Sequence, residues 1–386
     1  MDILSSVCHI SAVRFSHRYC FATVHCLPRL NIRSSLPLPV QKAKYHKELE
    51  AAVDAVEKAC RLCVDVKASL FSSDGRVLVK NDQTPVTVAD FGVQALISLE
   101  LGKLFPSIPV VAEEDSAFLR SSNTLVDTVV NEVTAKASPT NKPWTQVDVL
   151  EAIDRGGKNA VEFRSKPATY WVGLALVVEG EIVLGIMGCP NWQEDLIEKP
   201  TANFEKHFDV PSETGVIMIA HIGCGTWAKR FSNVQNSYWT RCSVDGSDLV
   251  QKARFCIPDS QTWESLPLYT AFNATNNAES LGNNQILLLQ TCCGSLCKYL
   301  MVASGRASVF ILRAKEKTII KAWDHVVGMI CVHEAGGKVT DWEGKEIDLS
   351  ADQIGRRIIF PSGGVLVTNS NLHDQILLLI SQNSVI

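Results

Sequence analysis

Three short segments concentrate carboxylates beside apolar runs. The first is Lys80-Asn81-Asp82-Gln83-Thr84-Pro85-Val86-Thr87-Val88-Ala89-Asp90, and the second is Val110-Val111-Ala112-Glu113-Glu114-Asp115-Ser116. The third is Trp323-Asp324-His325-Val326-Val327-Gly328, followed by Glu334-Ala335-Gly336-Gly337-Lys338-Val339-Thr340-Asp341. Taken singly, each has a plain structural account. Thr87 with Asp90 has the spacing of a helix capping box. Glu113 to Asp115 reads as a solvated loop after a strand. Asp324 is an acid that the helix dipole favours at a helix start. Position argues for more. Glu113 ends a strongly apolar strand, where the ligand sites of open sheets gather, and Asp324 follows Trp323 and opens a helix. Carboxylates converging from separate elements suit the hard cation Mg²⁺, and Mg²⁺ suits phosphate chemistry.

The elements that must position these acids follow from periodicity. Residues 45–70 read as an amphipathic helix, with Leu49, Val53, Val56, Cys60 and Cys63 on one stripe and Glu50, Asp54, Glu57 and Arg61 facing away. Val77 to Val79 reads as a short strand and Thr87 to Leu104 as a helix stopped by Pro106. Ile108 to Val111 is a buried strand running into Glu113, and Ser121 to Ala137 is a peripheral helix. Ala168 to Val178 and Glu181 to Met187 form a hairpin through Glu179-Gly180. Val216 to Ile222, Leu287 to Gln290, Val309 to Arg313, Lys338 to Asp341 and Val365 to Thr368 are further strands. Asp324 to Glu334 is a helix capped at Gly336-Gly337, and another helix closes the chain. This alternation predicts a layered α/β architecture.

A chain of 386 residues with 46% apolar content buries a large core, and its formal net charge of -4 points to neither nucleic acid nor an anionic membrane as partner. No run of ~18 apolar residues predicts a transmembrane helix. The first 44 residues differ from the rest: Asp2 is the only acid before Glu48, and Arg14, Arg18, Arg29 and Arg33 alternate with serines and apolar residues. That is the composition of a mitochondrial transit peptide, or alternatively a chloroplast one. The expected organisation is a leader over 1–44, an N-terminal α+β domain over 45–200 with the metal-site acids, and a C-terminal α/β domain over 201–386. The 13 cysteines are scattered, as in an intracellular protein with reduced thiols. Cys60 and Cys63, although spaced C-x-x-C, lie on a helix stripe and read as core.

The stretches Asn81 to Leu96, Val110 to Ser116 and Trp323 to Asp341 resemble three signature segments of the 3′(2′),5′-bisphosphate nucleotidases, within the inositol-monophosphatase-like superfamily. Val149-Leu150-Glu151-Ala152-Ile153-Asp154, read as a linker, and Gly188-Cys189-Pro190-Asn191 add to the resemblance, which runs from about Tyr45 onward and is strongest to the plant organellar branch. The resemblance implies a layered αβαβα fold. It implies hydrolysis of the 3′-phosphate of adenosine 3′,5′-bisphosphate, or of its sulfated form, with Mg²⁺ and inhibition by Li⁺. It implies metal ligation by Glu113 and Asp324, activation of water by Asp82 and Thr87, and nucleotide contacts from Ser295, Lys298 and Arg313. Without the resemblance, Lys298 reads as a surface lysine. The segment Trp263-Glu264-Ser265 is expected to help form the adenine pocket.

One departure bears on all of this. The family's central motif, D-P-I-D-G-T, supplies two metal-bridging aspartates and the backbone that holds the phosphate, and it is absent here. Ile153-Asp154-Arg155-Gly156 is a partial likeness that belongs to the upstream segment. After Tyr170-Trp171-Val172 the chain passes directly to Gly173-Leu174-Ala175-Leu176-Val177-Val178, so that two strands and their loop are fused into one run. The flanks keep the family pattern, as a clean excision by exon skipping or a mis-assembled gene leaves them. Two unit charges ~4 Å apart interact with roughly 4 kcal/mol at an effective dielectric near 20. Loss of the metals that offset phosphate–hydroxide repulsion therefore predicts a fall of many powers of ten in rate. Loss of a strand predicts unpaired backbone groups at about 1–3 kcal/mol each, or a local gap in the sheet.

Overall fold

The computed structural model describes residues 10–15, 36–38, 43–72, 85–140, 142–157, 170–192, 215–231, 237–258, 260–276, 287–289, 294–314, 319–352 and 357–383. In chain order the strands are β1 (Ile10–Phe15), β2 (Val110–Ala112), β3 (Val172–Val178), β4 (Glu181–Cys189), β5 (Gly215–His221), β6 (Gly225–Phe231) and β7 (Thr240–Cys242), which form one sheet. A second sheet holds β8 (Arg254–Cys256), β9 (Leu287–Leu289), β10 (Val309–Arg313), β12 (Gly337–Asp341) and β14 (Gly364–Asn369). The short β11 (Ile320–Lys321) and β13 (Ile358–Ile359) pair apart from both. The helices are α1 (His46–Ser72), α2 (Pro85–Leu104), α3 (Asn123–Lys136), α4 (Gln146–Gly157), α5 (Pro267–Asn276), α6 (Ser295–Ala303), α7 (Val326–Glu334) and α8 (His373–Asn383).

Alternation along the strands stacks these elements into five layers. In β3, Val172, Leu174 and Leu176 point to one core with α1, α2, α3 and α4, while Ala175 and Val177 point to another with α6 and α7. In β14 the same rule puts Val365 and Val367 toward α6 and α7, and Leu366 toward α5 and α8 with Phe255, Leu268 and Ile376. The order is therefore helices, seven-stranded sheet, helices, five-stranded sheet, helices, which is the αβαβα layering that the resemblance implied.

Most predicted elements lie within a few residues of their expected bounds. Cys60 and Cys63 are fully buried, and both are free cysteines. The β3–β4 hairpin turns on Glu179 (φ 52°) and Gly180 (φ 90°), the left-handed pair a two-residue hairpin requires. Two readings need correction. Residues 149–154, read as a linker, lie inside helix α4, whose Val149, Leu150, Ala152 and Ile153 are buried against α2 and α3. The helix predicted from Asp324 starts as a 3₁₀ turn, Ala322–Asp324, and becomes α-helical at Val326. β1, β6, β7, β8, β11, β13, α5 and α6 were not foreseen. The predicted strand Val77 to Val79 lies outside the described residues. None of the described helices is long and apolar enough to cross a membrane.

Candidate active site

β2 delivers the acidic loop Glu113-Glu114-Asp115-Ser116, and two elements hold that loop by its backbone. The Gln94 side chain of α2, 1% exposed, donates to the Glu114 carbonyl (2.6 Å) and to the Ile153 carbonyl (2.8 Å), and accepts from the Glu114 N–H (2.9 Å). Asp154 of α4 accepts from the Ser116 N–H (2.7 Å) and hydroxyl (2.8 Å), with Arg120 alongside at 3.0 Å. Burial alone would raise the Asp154 pKa; the Ser116 and Arg120 hydrogen bonds outweigh it and hold the carboxyl below its ordinary value. Gly157 lies so close to the Glu114 carbonyl that any Cβ there would collide with backbone. The partial motif likeness at residues 153–156 thus clamps the acidic loop.

Within the loop, Glu113 Oε1 pairs with Lys321 Nζ at 2.7 Å, both side chains largely buried. The same ammonium lies 5.0 Å from the centre of the Trp323 ring. Burial, then the charges of Asp90 and Glu113, push the Glu114 carboxyl well above the usual range, and Lys321 opposes them. Lys321, on β11, therefore brings positive charge from the strand before the Asp324 turn into the carboxylate cluster. Asp324 itself is half-buried. Its neighbour His325, 2% exposed, is hydrogen-bonded through Nδ1 to the Tyr299 hydroxyl at 2.9 Å. The Tyr299 pKa is raised well above its ordinary value by burial and by the charge of Asp324. Gly328 lets α7 approach the Tyr299 ring, where a Cβ would collide.

Tyr299 leads to the basic residues. Ser295 opens α6, and Lys298 one turn on is 2% exposed, its Nζ 3.3 Å from the Gly294 carbonyl. The surface-lysine reading of Lys298 is thereby corrected: the helix turns this side chain inward. Arg313, exposed at the end of β10, donates from Nη1 to the Ser265 carbonyl at 2.6 Å, and its backbone exchanges two hydrogen bonds with the Gln261 side chain. The structure thus joins Arg313 to the Trp263-Glu264-Ser265 turn. Asp82 lies outside the described residues, and Thr87 is placed in the first turn of α2 by its backbone alone. Sequence reasoning singled out Glu113 and Asp324 but passed over Gln94 and Lys321. The available signal was a lone amide in an apolar helix and a lone lysine two residues before Trp323.

The described residues do not fit a two-metal clamp. Glu113 gives one oxygen to an ammonium, and no three His, Cys, Asp or Glu side chains among the described residues are grouped so as to hold a metal ion. A cavity of about 270 Å³ lies elsewhere, between the helical layer and the first sheet, lined by Ala52, Leu101, Phe105, Val110, Leu174 and Leu176 among others.

Residues 160–384 match the inositol monophosphatase family. The chain is 58% identical over 408 aligned positions, covering 100% of this chain and 99% of the relative, to an Arabidopsis thaliana protein named "Putative 3'(2'),5'-bisphosphate nucleotidase, mitochondrial". It is 32% identical over 358 positions, covering 83% of this chain and 93% of the relative, to an Arabidopsis thaliana protein named "3',5'-bisphosphate nucleotidase AHL". An inositol monophosphatase from Thermotoga maritima aligns at 17% identity over 87% of this chain and 97% of its own, with a TM-score of 0.43. The chain belongs to the inositol monophosphatase family and is, by that membership, a phosphoric monoester hydrolase. Since 408 aligned positions exceed 386 residues, at least 22 positions of the first relative face gaps in this chain.

Proposed function

We propose that this site is that of a 3′(2′),5′-bisphosphate nucleotidase, acting on the 3′-phosphate of adenosine 3′,5′-bisphosphate, and that this chain binds its nucleotide far better than it hydrolyses it. The observation that carries the first half is the full-length relationship at 58% identity to a protein of that name. In this reading Lys298, buried beside the α6 N-terminus with Ser295, supplies charge for a phosphate. Arg313, fixed to the Ser265 turn, supplies a second contact at the nucleotide's other end. Asp82 and Thr87 would orient the attacking water. Mg²⁺ is the cofactor the family reading carries, and Glu113 and Asp324 are the carboxylates assigned to it. The second half follows from the missing aspartates and from the ammonium of Lys321 on Glu113. We also propose a mitochondrial address, on the Arg- and Ser-rich leader and the relative's printed name. The sulfated nucleotide is a second substrate of the same chemistry.

The test is phosphate release and nucleotide binding by the purified full chain, with and without Mg²⁺, beside a protein with D-P-I-D-G-T restored after Val172. The expected outcome is nucleotide binding by both and turnover by the restored protein alone, a gain of several powers of ten. Equal turnover by the two proteins would refute the role given to the missing aspartates. Turnover of inositol monophosphate in preference to the nucleotide would refute the substrate.

A further inference from the structure

The first sheet contains a strand drawn from the leader. β1, Ile10–Phe15, runs parallel to β3 with Val13 opposite Leu176, Arg14 opposite Val177 and Phe15 opposite Val178. On its other side it runs antiparallel to β2, with Ile10 opposite Ala112 and Val13 opposite Val110, and a slip in register between them. The sheet order is β2-β1-β3-β4-β5-β6-β7, so among the described residues β2 reaches the sheet only through β1. β1 also runs beside the Ala322–Asp324 turn and α7.

We propose that Ile10–Phe15 is a working strand of the folded protein, filling in cis the vacancy beside β3 and positioning both halves of the acidic site. Three independent features support it. The fused run Tyr170 to Val178 predicts a missing neighbour beside β3, and β1 stands at that edge. β3 is buried on both faces, Val172 to Val177, and such a strand needs backbone partners on both sides. The cavity of about 270 Å³ is lined by Val110 of β2 and by Leu174 and Leu176 of β3, the strands that flank β1. A substitute strand restores the ladder there while the helical face stays underfilled. The consequence is that one segment serves as both address and strand. Proteolytic removal of residues 1–44 would unseat β2, which leads into Glu113, and bare the edge of β3. The form that keeps the fold is the one that keeps its leader.

Hydrogen exchange on the purified full chain, followed by mass spectrometry, tests this directly. The Ile10–Phe15 amides are expected to exchange at least about a hundredfold more slowly than a free peptide of the same sequence. Val13→Pro removes a ladder donor. It is expected to abolish protection at Ile10–Phe15 and Val110–Ala112 while leaving Val365–Thr368 unchanged. Free-peptide exchange at Ile10–Phe15 in the wild-type chain, with Val365–Thr368 protected, overturns the proposal. That comparison within one protein stands even if Val13→Pro does not fold. Loss of protection at Ile10–Phe15 alone in the variant, with Val110–Ala112 unaffected, would overturn the bridging role.

Discussion

The two sheets are built from similar strands but joined differently. In the second sheet, β14 pairs with β10 and with β12 along its length in unbroken register, Val309↔Thr368 to Arg313↔Gly364 on one side and Gly337↔Asn369 to Asp341↔Val365 on the other. In the first, β2 meets β1 through an irregular register, and β1 meets β3 only at its last residues. The strands of the first junction come from near residues 10, 110 and 172, whereas β10, β12 and β14 lie within some 60 residues, all inside the matched family span. A ladder assembled from distant pieces must offset more loop-closure entropy for each pair it gains. Its neighbours β2 and β3 also line the cavity under the helical layer. The lesson is that irregular pairing is confined to one junction while the distant layers keep an unbroken register.

Matched truncations give the largest contrast. Leu366, fully buried between β14 and the α8 layer, is expected to lose about 4 kcal/mol on substitution by alanine, because its site is close-packed. Leu176, which already faces the cavity, has fewer contacts to lose, and Leu176→Ala is expected to lose about 2 kcal/mol. Denaturant unfolding of the two variants under one condition measures both. A larger loss at Leu176 would break the comparison.

Acid separates the regions by a different route. In the second, His373 accepts at Nδ1 from the Thr368 hydroxyl (2.7 Å) and donates from Nε2 to Thr340 Oγ1 (3.0 Å), since the Thr340 hydroxyl proton goes to the Asp341 carbonyl. Burial, with Lys338 assisting, lowers its pKa to about 4. The imidazole is held neutral, so its contribution is whole above the unfolded value near 6.5 and erodes as pH falls from there to about 4. In the first region, Glu100 is held at about 2: burial acts to raise it, but Lys58 and Ser138 outweigh that. Its contribution is whole above about 4.5 and is lost only as pH falls toward 2. Between pH 6.5 and 5 the α8 layer should therefore soften by about 2 kcal/mol, while the Glu100 contribution to the α1–α2 layer stays whole. Hydrogen exchange against pH checks this, and His373→Gln should flatten the slope. A slope unchanged by that substitution would remove His373 as its source.

How much of this was legible beforehand follows the same division. Periodicity alone located α1, α2, β3, β4, β10, β12 and β14, because each is long or strongly patterned and buries its apolar face where its own sequence says. The β3–β4 turn was legible because Glu179-Gly180 carries its own backbone preference. α4 was missed because its glycines, Gly156 and Gly157, disguise a helix end as a loop; they are there for close approach to β2 and the Glu114 carbonyl. The positions of Glu113 and Asp324 at element ends were legible from the flanking apolar runs. Lys321 and Gln94 were not, because their partners are some 208 and 20 residues away and no local pattern announces such a pairing. β1 was illegible for the deepest reason. Its composition reads as an address, nothing local in it marks a strand, and its place comes from pairing with the distant β2 and β3.

The smallest expected effect is also the one whose sign separates the regions. Ala52 of α1 lines the cavity, so Ala52→Leu places three carbons in space that is already open. At about 0.8 kcal/mol per buried CH₂, less the entropy of ordering a leucine, the expected gain is about 1 kcal/mol. Thermal unfolding should shift upward by about 1–2 °C in a chain of this size. Ala303, fully buried on α6 against the second sheet, has no such space. Ala303→Leu must move its neighbours and is expected to cost about 1–3 kcal/mol. Opposite signs would tie the packing deficit to the junction that β1 bridges. Destabilisation by both would mean that α1 is as tightly packed there as α6 is elsewhere, and that β1 fills its place as well as any native strand.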